Sequence, residues 1–143
     1  MFDSILVICT GNICRSPIAE RILRKIFPTK KIDSAGVGAM VGYPADDAAS
    51  NVANIHNVSL QGHKAQQFTS NLASHYDLIL VMEKKHIEDV SRIAPEARGK
   101  TMLLGQWLNK SIPDPYRKSD EVFYLVFKLI DEACQSWAKK LNG

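Results

Sequence analysis

A short apolar run that feeds through a tight loop into an amphipathic helix constrains this chain more than any other feature. Ile5 to Cys9 has the length of a strand and is bounded by polar residues. From Ser16 onward the period becomes helical. Ile18, Ala19, Ile22, Leu23, Ile26 and Phe27 share one face, Glu20, Arg21, Arg24 and Lys25 the other, and Pro28 stops the helix. Between strand and helix lies the loop Thr10 to Arg15, entered from a cysteine and left through an arginine.

A strand that turns straight into a helix start is an anion cradle. Successive backbone N–H groups converge on one point, and the helix dipole adds positive potential there. Gly11 is expected to take backbone angles that a side chain forbids, and Asn12 tolerates left-handed geometry. Ser16 and Pro17 read as the N-cap and first residue of the helix. Cys9 lies at the strand's end facing the cradle, where N–H groups, the helix N-terminus and Arg15 all favour the thiolate. Arg15 can grip two oxygens of a phosphate with its planar fork. The loop therefore offers a nucleophile on its floor and anion donors around its wall.

A length of 143 residues suits one domain, here 1–143 without an internal boundary, repeat or linker. Later elements alternate between strand and helix. Lys31–Ala35 reads as a strand ending in Gly36, and 36–47 as a loop carrying Met40 and Tyr43, which either line a site or tuck onto the core. Asp46–Asn57 reads as a helix with Ala48, Ala49, Val52, Ala53 and Ile55 inward, and 60–71 as polar and irregular before a short helical turn. Leu78–Met82 is apolar on both faces, as a central parallel strand requires. Lys84–Ala94 is expected to be helical with Ile87, Val90, Ile93 and Ala94 inward, and Thr101–Leu104 a fourth strand. The last helix carries Val122, Leu125, Val126, Leu129, Ile130, Ala133, Trp137 and Leu141 as its buried stripe. Together these predict an α/β three-layer sandwich around a parallel sheet, with the loops after Cys9, Gly36 and Gly105 at one edge.

Composition narrows the function. A net charge of +3 is too mild for nucleic-acid binding, and no apolar run reaches membrane-spanning length, so neither nucleic acid nor membrane insertion is expected. Three cysteines, an odd number, and an N-terminus without the basic and cleavable parts of a secretory leader point to a reducing, cytoplasmic setting. The four histidines show no ligand spacing with cysteines or acids, so no metal site and no cofactor is expected.

The run CTGNICRSPIAE resembles the phosphate-binding loop of the low-molecular-weight protein tyrosine phosphatases, and SAG, GHKA, DLILVME and DPY follow in that family's order along essentially the whole chain. The resemblance implies a flavodoxin-like fold with a four-stranded parallel sheet and a cysteine-dependent phosphatase. Cys9 would be the nucleophile, Arg15 the phosphate clamp and Asp114 the acid for the leaving group, then the base for water. Without the cysteine loop, Asp114 between Pro113 and Pro115 reads as a turn residue; with it, as an acid on a rigid mount. Thr10, Gly11, Asn12, Ile13, Cys14 and Ser16 would form the rest of the substrate cradle. Asn12 would lock it by side-chain bonds to neighbouring backbone, and Ser16 would cap the helix while donating to the Cys9 sulfur. Tyr116 would line the mouth with Met40 opposite. Met40 replaces a tryptophan of many relatives, and Arg117 a second tyrosine.

The matching histidine, His63, is structural in relatives and would pair with Glu20; as a lone histidine it also reads as an ordinary surface residue. Cys14 either packs the helix start or condenses with oxidised Cys9 to a protective disulfide, as in relatives with this pair. The pattern is most similar to the bacterial subgroup acting on tyrosine autokinases of capsule or exopolysaccharide export. It implies as partners a phosphotyrosine protein, the tail of such a kinase, and a phosphate or other oxyanion in the loop. Two rival readings stand beside this: a thioredoxin-coupled arsenate reductase of the same fold, and a phospho-binding module without turnover. The first needs cysteines near residues 80 to 90, where this chain has Val81, Met82 and Ser91.

Overall fold

The computed structural model describes residues 2–142. Strands β1 (Ser4–Cys9), β2 (Lys31–Gly36), β3 (Leu78–Val81) and β4 (Thr101–Leu103) form one sheet in the order β2-β1-β3-β4, and every pairing is parallel. Helices α1 (Arg15–Ile26), α2 (Asp47–Ile55), α3 (Ser70–Ala73), α4 (Lys84–Ile93) and α5 (Asp120–Asn142) cover its two faces. The expected flavodoxin-like architecture is the one observed.

Strand residues alternate between two cores, which explains why β1 and β3 are apolar throughout. Ile5, Val7, Leu78 and Leu80 face the layer of α1, α2 and α5, whereas Leu6, Ile8, Ile79 and Val81 face Phe68, Tyr76, Val90 and Ala94. The chain leaves β1 toward β2 on one side and β3 toward β4 on the other. The two strands therefore part at their C-terminal ends, the position where open α/β sheets bind ligands. Cys9 ends β1 at that crevice, paired with Gly36 of β2. A Cβ on Gly36 would collide with the Thr10 carbonyl, so only glycine lets the loop pass.

Several expectations need correction. Helix α1 starts at Arg15 with Cys14 at its N-cap position and no side-chain cap, so Ser16 is not the cap. Asn12 is left-handed at φ 60°, whereas Gly11 is not. Glu20 is buried although its helical position looks polar: Ser34 Oγ donates to it at 2.8 Å and Arg21 Nε at 2.8 Å, so the carboxylate is paired. Ile55 and Leu125 are exposed, as is Tyr43. Helix α5 buries Phe123, Phe127 and Cys134 beside Val126, Ile130, Ala133 and Trp137, a stripe rotated from the expected one. Asp46 caps α2 from outside it, accepting from the N–H groups of Ala48 and Ala49. Among the described residues no helix is long and apolar enough to cross a membrane.

Candidate active site

The end of β1, the start of α1 and the segment after β4 enclose a cavity of about 200 Å³. Cys9, Thr10, Gly11, Ile13, Cys14, Arg15, Gly38, Met40, Asp114 and Tyr116 line it. Met40 and Tyr116 are both partly buried walls of this cavity. Asn12 and Ser16 do not line it. They are buried behind it.

Their hydrogen bonds give each a direction. Asn12 Nδ2 donates to Ser16 Oγ at 2.7 Å and to Ser34 Oγ at 2.9 Å, while its Oδ1 accepts the Gln66 N–H at 3.0 Å. Asn12 thus locks the loop through remote partners rather than neighbouring backbone. Since the Ser16 oxygen already accepts from Asn12, its own proton is free to point at Cys9 Sγ, 3.0 Å away. His63 does not bond Glu20. Its Nε2–H donates to the Asn12 carbonyl at 2.6 Å, and burial holds its pKa below the usual value. Left-handed Asn12 is therefore held from side chain and backbone together.

Arg15 is 2% exposed, and its guanidinium is anchored before any ligand arrives. Nη1 donates to Glu83 Oε2 at 2.7 Å and to the Ile112 carbonyl at 2.7 Å, while Nη2 lies 3.9 Å from Asp114 Oδ2. Ile112 in turn donates its N–H to the Met82 carbonyl at 2.9 Å, clipping the 109–118 segment to the end of β3. Arginine and Asp114 are thereby registered to one another through Ile112. Asp114 is half exposed at the cavity's edge, and its Oδ1 accepts the Tyr116 N–H at 3.0 Å. It is a turn residue and a cavity carboxylate at once, so the two sequence readings were never exclusive.

Sequence reasoning missed two residues, both at the β3–α4 junction. Glu83 holds Arg15 as above. His86 is completely buried, and its Nδ1 accepts the Glu83 N–H at 3.1 Å, which leaves the ring proton on Nε2. That Nε2–H donates to Thr10 Oγ1 at 2.9 Å. Burial and then the nearby Arg15 charge lower the His86 pKa to about 4, so the ring is neutral at ordinary pH. Helical spacing hinted at neither residue. The available signals were proximity to the end of the most apolar strand and, for Glu83, its place as the last residue of the DLILVME run.

Cys14 is buried beside Cys9 at the helix start. Burial first, then Asp46, Cys9 and Asp114, push its thiol well above the ordinary range. Cys134 sits under α1 with its thiol on the Ala19 carbonyl at 3.9 Å, too deep to relay oxidation from Cys9. A buried arginine, a sulfur facing a serine hydroxyl, and a half-exposed carboxylate around one small cavity are suited to displacement at an oxyanion such as a phosphoryl group.

A family model described as "Low molecular weight phosphotyrosine protein phosphatase" matches residues 4–143. The chain is 58% identical to the low molecular weight protein-tyrosine-phosphatase Etp of Escherichia coli K12, over 99% of this chain and 96% of Etp. The crystal structure of the tyrosine phosphatase Wzb from Escherichia coli K30 in complex with sulphate superposes with a TM-score of 0.97 at 62% identity, covering 99% of each chain. Vibrio vulnificus Wzb in complex with benzylphosphonate superposes with a TM-score of 0.96 at 56% identity, over 98% of this chain and 99% of that one.

Proposed function

The chain belongs to the low molecular weight phosphotyrosine protein phosphatase family and is a protein-tyrosine phosphatase, and from that premise we propose which residues carry its reaction and which protein it serves. Cys9 attacks the phosphorus of phosphotyrosine as a thiolate. Arg15 and the N–H groups of residues 10–15 hold the equatorial oxygens; a sulphate complex and a benzylphosphonate complex are known for similar proteins. Asp114 enters the first step protonated and gives its proton to the tyrosyl oxygen as the P–O bond breaks, releasing tyrosine and leaving phosphate on sulfur. Now a carboxylate, Asp114 takes a proton from water as water attacks the cysteinyl-phosphate. Inorganic phosphate departs and the thiolate is restored. Ser16 stabilises that thiolate as attacker and as leaving group through its hydroxyl proton.

One observation supports this assignment above the others: Cys9, Arg15 and Asp114 border a single cavity of about 200 Å³. A sulfur at its floor reaches the phosphorus of phosphotyrosine but not that of the short phosphoserine side chain, and Tyr116 and Met40 flank the ring. The physiological substrate is the phosphorylated tail of a tyrosine autokinase in polysaccharide export, by analogy with the bacterial subgroup that the motifs resemble. Phosphate release from matched phosphotyrosine and phosphoserine peptides, with and without chelator, is the test. The reading expects strong preference for phosphotyrosine, no effect of chelator and no turnover by Cys9→Ser; equal efficiency on both peptides contradicts it. For the kinase, loss of phosphotyrosine from the isolated phosphorylated tail is expected, and resistance of that tail refutes the assignment.

A further inference from the structure

The segment after the acid is tied into turns by two hydrogen bonds. Asp114 Oδ1 accepts the Tyr116 N–H at 3.0 Å, and Lys118 donates its N–H to the Pro115 carbonyl at 2.8 Å, so two successive turns fix residues 114–118. Arg117 occupies the second central position of the latter turn with φ 62°, a left-handed conformation that favours glycine or asparagine there. Its guanidinium lies 5.4 Å from the centre of the Tyr116 ring, the ring that lines the cavity. The side chain is exposed, and the ion pairs among the described residues include none to it. A charged residue in a costly backbone conformation, stacked on the wall of a cavity and lacking a counter-ion, is placed for something outside the chain.

We infer that Arg117 is a specificity-determining residue that takes the carboxylate of an acidic side chain next to the phosphotyrosine. The inference rests on the phosphotyrosine reading of the cavity. A phosphotyrosine ring seated against Tyr116 leaves its backbone at the mouth, beside the guanidinium. The stacking orders the arginine before binding, so little rotamer freedom is lost when a carboxylate meets its fork. Lys118, exposed at the next position, adds to the positive field. Asp114 is engaged elsewhere, its Oδ1 accepting the Tyr116 N–H at 3.0 Å and its Oδ2 lying 3.9 Å from Arg15 Nη2.

The experiment compares kcat/KM on a phosphotyrosine peptide flanked by aspartates with the same peptide flanked by asparagines, using wild type, Arg117→Gln and Arg117→Glu. Wild type should favour the aspartate peptide about threefold to fivefold, the upper part of what an exposed ion pair supplies, and less at high salt. Arg117→Gln should bring the ratio close to one, and Arg117→Glu should reverse it. An effect on Tyr116 packing alone would lower both peptides alike and leave the ratio intact. A wild-type ratio of one, or a wild-type preference preserved in both variants, overturns the inference. If wild type hydrolyses neither peptide nor p-nitrophenyl phosphate, the phosphatase reading itself has failed and this inference falls with it.

Discussion

Burial of neutral His86 against the cradle should make the protein acid-sensitive in a way that one substitution removes. In the folded protein the ring accepts the Glu83 N–H at Nδ1 and donates to Thr10 at Nε2. A second proton on Nδ1 would face a donor and add charge near Arg15. The folded pKa of about 4 lies below the 6.5 of an unperturbed imidazole, so between those values the unfolded chain binds more protons than the folded one. Stability is then fully present above the unfolded pKa and is lost as pH falls toward the folded one. From pH 7 to pH 4.5 this histidine alone should remove about 2 kcal/mol of unfolding free energy. His86→Gln keeps a donor that can reach Thr10 but cannot be protonated. Its unfolding free energy should be lower at pH 7 and should fall less on acidification. Urea titrations of both proteins at the two pH values measure the difference of differences. His63, also depressed by burial, and the carboxylates contribute to both proteins and cancel. Equal acid sensitivity in wild type and His86→Gln would refute the neutral, doubly bonded ring.

The remaining predictions concern the chemistry itself. Asp114→Asn should slow turnover by about two to four orders of magnitude, most for poor leaving groups, because a good one needs little protonation; p-nitrophenyl and phenyl phosphates compared side by side check this, and an equal loss for both refutes the acid role. After peroxide, Cys9 should be oxidised to a sulfenic acid and condense with the Cys14 thiol, losing water and forming a disulfide that dithiothreitol reverses. Since Cys14 is held protonated by burial and nearby acids, the condensation should quicken as pH rises. If Cys14→Ser recovers activity as fully as wild type, Cys14 only packs the helix start.

What could be read from the sequence was what lies contiguous in it. Cys9, Asn12, Arg15 and Ser16 sit within one strand–loop–helix junction, whose strand and helix were legible although the helix begins at Arg15 and without a Ser16 cap. Asp114 came from resemblance, since proline-flanked aspartates usually make turns, and here it does that as well. Glu83 and His86 were illegible because only the β1–β3 pairing carries them to the loop. Glu20 failed for a related reason: a helical wheel places it on the polar face, but Ser34 of β2, itself bonded to Asn12, meets it there. Ile55 and Leu125 failed the other way, for apolar residues at plausible spacing need not point inward. Periodicity located the helices well, and their buried stripes less well.

The account's central claim is that the phosphoryl group passes through the Cys9 sulfur, and its most direct test is to trap that intermediate. Wild type mixed with excess phosphotyrosine peptide and quenched in acid within the first turnover should carry one phosphoryl group on the peptide that contains Cys9, located by tandem mass spectrometry. Asp114→Asn should do so more slowly, and Cys9→Ser should show no phosphate on sulfur. A wild-type enzyme that releases phosphate in the first turnover while Cys9 stays unmodified at every quench time, or that carries the group on another residue, would contradict the mechanism.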